Sequence, residues 1–86
     1  MSYPTIWKFP LDLTDRQVVI LPKGATPIAV DYQGERLAMW AIVDREAPQE
    51  SIEVLIFGTG HPMKIQREMR RLGTIQKDGF VWHVFV

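Results

Sequence analysis

The chain contains no cysteine, so neither a disulfide framework nor a thiolate metal site is open to it. No apolar run approaches the roughly 20 residues needed to span a bilayer as a helix. The first residues, Met1-Ser2-Tyr3-Pro4, lack the charged-then-apolar pattern of a secretory leader. Net charge is missing too, because ten basic and ten acidic residues cancel. No overall field therefore draws the chain to nucleic acid or to an anionic membrane. There is no internal repeat, low-complexity tract or linker. These absences lead us to expect a cytoplasmic protein that contacts no membrane, and they argue against nucleic acid as its partner.

Catalytic patterns are absent as well. His61 and His83 stand too far apart for the H-x-x-x-H or H-x-H spacing of a metal site. No serine occupies a G-x-S-x-G turn, and a cysteine nucleophile is excluded. Asp12, Asp15, Asp31 and Asp44 fall near strand ends or turns, where aspartate serves the backbone. We expect no catalytic residue, no metal and no cofactor.

What the chain does have is apolar bulk. Of its 86 residues 47% are hydrophobic, with three Trp, four Phe and two Tyr, enough for one packed core at a size where a single core is marginal. We expect a single domain over residues 1–86, completed by homo-oligomerisation, with a two-fold dimer the commonest form. Pro and Gly punctuate short extended segments: Thr5 to Phe9, Gln17 to Leu21, Pro27 to Tyr32, Arg36 to Val43, Ile52 to Phe57, Gly73 to Gln76 and Phe80 to Phe85. Gln33-Gly34-Glu35 and Lys77-Asp78-Gly79 read as hairpin turns. The pattern predicts a mainly β fold, a small antiparallel sandwich or barrel of about six strands. At most one short helix is expected, after Pro62, where a helical turn and an irregular loop are both open. Trp40 is expected in the core, and His83 on the opposite face from Trp82 and Val84.

One local pattern points to binding. Phe57-Gly58-Thr59-Gly60-His61-Pro62 follows the apolar run from Ile52, and glycines at that spacing free the backbone to present successive amides to an anion. It is neither a dinucleotide fingerprint nor a P-loop. Five basic residues (Lys64, Arg67, Arg70, Arg71 and Lys77) follow against a single acid, Glu68. Arginine forks pair bidentately with phosphate. The expected ligand- or partner-binding set is therefore Gly58, Thr59, Gly60, His61, Lys64, Arg67, Arg70 and Arg71. If they act on one anion, they must meet on one surface. The plain alternative is a tight turn followed by a solvated charged face.

Ile6-Trp7-Lys8-Phe9-Pro10, Asp15-Arg16-Gln17, Pro22-Lys23-Gly24-Ala25, Leu37-Ala38-Met39-Trp40-Ala41, Val43-Asp44, Phe57 to Pro62 and Trp82-His83-Val84-Phe85 together resemble a group of small proteins encoded by bacteriophages, prophages and related mobile elements. The resemblance covers nearly the whole chain. It implies a short accessory protein acting in the bacterial cytoplasm by binding. Such a protein would antagonise a host defence, by blocking a host protein or by sequestering a small anionic, nucleotide-like signalling molecule. Nucleic-acid binding and a structural role in the virion are the alternatives. Members often carry an acidic or polar loop after the Gly-Thr-Gly-His-Pro stretch, where this chain has Lys64 to Arg71.

Overall fold

A computed structural model describes residues 3–64 and 67–86. Over them the chain forms seven strands and no helix: β1 (Thr5–Leu11), β2 (Arg16–Pro22), β3 (Thr26–Gln33), β4 (Arg36–Val43), β5 (Gln49–Gly58), β6 (Arg71–Lys77) and β7 (Phe80–Phe85). The expected mainly β fold is observed, with seven strands where about six were anticipated. They make two antiparallel sheets, β1-β4-β3 and β2-β5-β7-β6.

Turn chemistry sets both hairpins. Gln33 pairs with Arg36, leaving Gly34 and Glu35 as a two-residue loop. Gly34 takes φ 62° at the first loop position, where a type II′ turn requires glycine. Lys77 pairs with Phe80, and Asp78 and Gly79 both have positive φ, 54° and 83°, as a type I′ turn demands. The crossing from β1 to β2 is held by one side chain. The Gln17 amide donates to the Asp12 carbonyl at 2.6 Å and accepts from the Asp12 N–H at 3.0 Å.

One apolar core joins all seven strands, through Leu11, Val19, Leu21, Val30, Leu37, Met39, Val54, Ile56, Ile75 and Val84. No buried polar or charged residue interrupts it among the described residues. Trp40 is not part of it. Leu37, Met39, Ala41 and Val43 take the inward positions of β4, so strand alternation turns the half-buried Trp40 outward, opposite Lys8.

The sheets meet where β3 runs beside β6. Side chains close this seam, with no backbone ladder between the two strands. At one end the Arg70 guanidinium donates to the Pro27 carbonyl at 3.0 Å. In the middle, Gly73 is needed for close approach: a Cβ there would sit 2.9 Å from Cγ1 of Val30. At the far end Lys77 lies 4.9 Å from the Tyr32 ring centroid and 3.3 Å from Glu35 Oε2, a cation–π contact beside an ion pair.

Candidate functional site

β5 and β6 both run antiparallel to β7, which lies between them. They are therefore parallel to each other, and parallel strands need a long crossover. The connection is made by residues 59–70, and among its described residues Thr59 and Arg67 meet the outward face of the four-stranded sheet at His83 and Glu53. Its described residues are turn, bend or irregular, with no helix. Of the segment in which a helical turn was open, Ile65 and Gln66 lie outside the described residues.

Gly58-Thr59-Gly60-His61 opens this connection as a β-turn. The His61 N–H donates to the Gly58 carbonyl at 3.1 Å, and Gly60 has φ 86° at the third position, where a type II turn requires it. The Thr59 N–H donates to the Val81 carbonyl at 3.2 Å. Two amides of the expected anion nest are thus committed to the chain itself. Gly58 is needed for a different reason. A Cβ there would lie 2.7 Å from His61 Nδ1, so the imidazole packs on the glycine.

The turn leads into a cleft of about 470 Å³ between Asp15 and Arg16 at the start of β2, Leu55, Ile56 and Phe57 of β5, and His61, Pro62 and Lys64. The floor is apolar, with Phe57 in edge contact with Phe85 at 5.9 Å between centroids. His61, Lys64 and Arg16 bring polar groups to the rim. Lys64 has no ion-pair partner among the described residues. On its other side the turn walls a second cleft of about 310 Å³, shared with Phe80 and Trp82.

The arginines do not join Lys64. Arg67 donates through Nε to Glu53 Oε1 at 3.2 Å, and its two terminal nitrogens reach the carbonyls of Glu68 and Glu53 at 2.8 and 3.2 Å. Arg16 pairs with the other oxygen of Glu53. Hydrogen bonds from Arg16, then from Arg67, hold the Glu53 carboxyl below its ordinary value of 4.5. Arg67 and Arg70 line a separate cleft of about 410 Å³ with Pro27, Ile52 and Val86.

Arg71 is connected to the turn indirectly. It donates to Thr74 Oγ1 at 3.3 Å, Thr74 Oγ1 lies 3.2 Å from His83 Nδ1, and His83 Nε2 lies 2.8 Å from Thr59 Oγ1. His83 faces away from Trp82 and Val84, as alternation predicts, and its ring links β6 to the Gly-Thr-Gly-His turn. The structure thus gathers Gly58, Thr59, Gly60, His61 and Lys64 and ties Arg71 to them, while Arg67 and Arg70 are spent elsewhere. Arg16 enters the cleft from far along the chain. Local spacing holds no sign of it, since only the pairing of Arg16 with Leu55 brings it there. No three His, Asp or Glu side chains are placed to hold a metal among the described residues.

Over residues 3–86 the chain matches the model of a family described as a domain of unknown function, DUF7352, and it belongs to that family. No curated protein and no solved structure matches it.

Proposed function

We propose that this member of the DUF7352 family is a non-enzymatic accessory protein of phage type that sequesters a small anionic, nucleotide-like molecule in the cytoplasm of a bacterial host, so antagonising a defence that depends on it. The cleft beside the Gly58–His61 turn carries the proposal. At about 470 Å³ it lies within the usual 300–1,000 Å³ range of small-molecule sites, which are mostly apolar with few polar groups. Leu55, Phe57 and Pro62 offer a surface for a base, and Lys64, Arg16 and His61 offer donors for a phosphate at the rim. A host-protein antagonist working through the arginine cluster draws less support. Arg67, Arg70 and Arg71 are exposed, but each donates to a different acceptor of this chain, so they do not converge on one docking point. Nucleic-acid binding, with zero net charge, draws less still.

Thermal unfolding with adenosine monophosphate, a cyclic dinucleotide and phosphate-free adenosine tests the proposal. A ligand that binds only the folded state raises the midpoint as its concentration passes Kd. We expect a rise with at least one phosphate-bearing probe, none with adenosine, and loss of the rise in Lys64→Glu. No rise with either nucleotide, together with no small molecule released on denaturing freshly purified protein, would sink the proposal.

A further inference from the structure

We infer that the outward face of the three-stranded sheet is the contact surface between two copies of this chain, related by a two-fold axis running parallel to the strands. Three observations lead there, and none of them involves the cleft.

The first is surface area. The chain exposes 5955 Å², whereas a monomeric protein of its 9.9 kDa exposes roughly 5,200 Å². The surplus of roughly 750 Å² belongs to the molecule as a whole, whose extents of 45 × 32 × 15 Å make it flat, with broad sheet faces for its size. The radius of gyration is correspondingly 13.4 Å, against about 12 Å for a compact chain of this length.

The second is where apolar surface lies bare. Ile6 of β1 pairs in register with Ile42 of β4, and their exposures are 56% and 39%. Ile28, exposed by 44%, is the extra residue of the bulge in β3 between Pro27 and Ala29. Ile6 and Ile42 therefore form one row that ends at Thr26, and Ile28 stands at the β3 edge beside the next row, Lys8–Trp40–Ala29. The exposed apolar residues of the other sheet's outward face, Val18 and Ile20, are confined to its edge strand β2. There the Arg16–Glu53–Arg67 charges adjoin them.

The third is charge. The same face carries Lys8 on β1 and Asp31 on β3, at opposite edges. Lys8 Nζ reaches only the neutral Gln33 Oε1 at 2.8 Å, and Asp31 Oδ1 accepts from the Tyr32 N–H at 2.8 Å. A two-fold axis along the strands lays β1 of one copy over β3 of the other, so each Lys8 approaches an Asp31 and the isoleucine rows stack. The Lys8 and Asp31 edges are complementary under the two-fold, as an isologous interface requires, with Arg36 at the end of β4 away from the isoleucines.

Sedimentation equilibrium on the full chain at about 100 μM, where even a weak interface populates, should give twice the chain mass. Ile42→Glu should return it to the single-chain mass with the far-ultraviolet strand signal and cooperative unfolding retained, and Ile6→Glu serves if that variant fails to fold. Ile20→Glu, on the other sheet, should leave the dimer intact. Ile42→Cys supplies the chain's only thiol near the axis and should form a disulfide-linked dimer on mild oxidation. A wild-type protein at single-chain mass overturns the inference and leaves the face to a different partner. It is overturned equally by a dimer that survives Ile42→Glu or dissociates in Ile20→Glu, and by failure of Ile42→Cys to cross-link.

Discussion

The outward face of the four-stranded sheet is met by the β5–β6 connection at Thr59 and Arg67 and threaded by hydrogen bonds from Arg16, Arg67, Arg71, Thr74 and His83. Among the described residues nothing covers the outward face of the three-stranded sheet in this way, and Ile6, Ile28 and Ile42 are exposed there. The sheets are built alike on their inner sides, where both supply aliphatic residues to one core. Chain connectivity makes the difference. β3 and β4 join through a two-residue turn that adds nothing to either face. β5 and β6 are parallel, and the residues spent on returning the chain become the wall and rim of a cleft. β1 and β3 are likewise parallel across β4, but their connection runs through β2 in the other sheet and leaves the outward face open, whereas the β5–β6 return stays on its own sheet and builds a pocket there.

Substitutions on the two faces should separate them most clearly. Phe57→Ala removes a half-buried ring and its contact with Phe85, and should cost about 2 kcal/mol, below the ~3–5 kcal/mol of a fully buried Phe→Ala change. In dilute solution, where association does not contribute, Ile42→Ala should cost less than about 1 kcal/mol. Urea unfolding of both variants measures the gap, and equal losses would mean the connection does not shelter β5.

Next in size is the turn that makes the wall. Gly60→Ala places a side chain at φ 86° and should cost roughly 1–2 kcal/mol. Gly58→Ala meets only the ring of His61, which is exposed and free to swing away. Its cost should therefore be smaller, with the His61 imidazole resonances shifting instead. If Gly58→Ala proves the more damaging, the ring is fixed by more than the glycine.

The smallest effect is electrostatic. Glu53 has a folded-state value below the unfolded 4.5, so its stabilising contribution is complete above 4.5 and disappears as pH falls through the folded value. Glu53→Gln should lower stability slightly near neutral pH, with the difference from the wild type vanishing as pH falls through the folded value, so that the acid limb flattens. An unaltered acid limb would show that the two arginines do not couple to Glu53 in solution. Pairs this exposed contribute little and are screened by salt.

The strands and both hairpin turns were legible because period-two segments and Asp-Gly or Gly signals are local. The facing of β4 was not. Leu37 to Val43 is apolar in both parities, so alternation alone could not say whether Met39 or Trp40 points inward. The basic segment misled in another way. Its arginines are neighbours in sequence, but Arg67 turns to Glu53 and Arg70 to Pro27, acceptors that long-range pairing supplies, while Arg71 turns to Thr74 on its own strand. Half of the candidate site, the turn with His61 and Lys64, was visible as a contiguous motif. Arg16 and the Leu55 floor were not, because they arrive through the β2–β5 ladder.

The strand order also governs how the molecule must assemble. Residues 12–15, 23–25 and 44–48 each carry the chain from one sheet to the other, so no single cut separates the sheets. Neither sheet, nor the cleft on one of them, can be excised as a folded fragment, and unfolding should proceed as one cooperative event. Assembly waits on distant partners: β1 pairs only with β4, and β2 only with β5. Folds dominated by such non-local pairings form in about milliseconds to seconds, not microseconds. During synthesis β2, with Val18, Val19, Ile20 and Leu21, emerges well before Gln49–Gly58 exists to receive it. Over that interval it is an unpaired apolar strand, and the charges and prolines at its ends, Arg16 and Pro22, are its own protection against pairing with another chain.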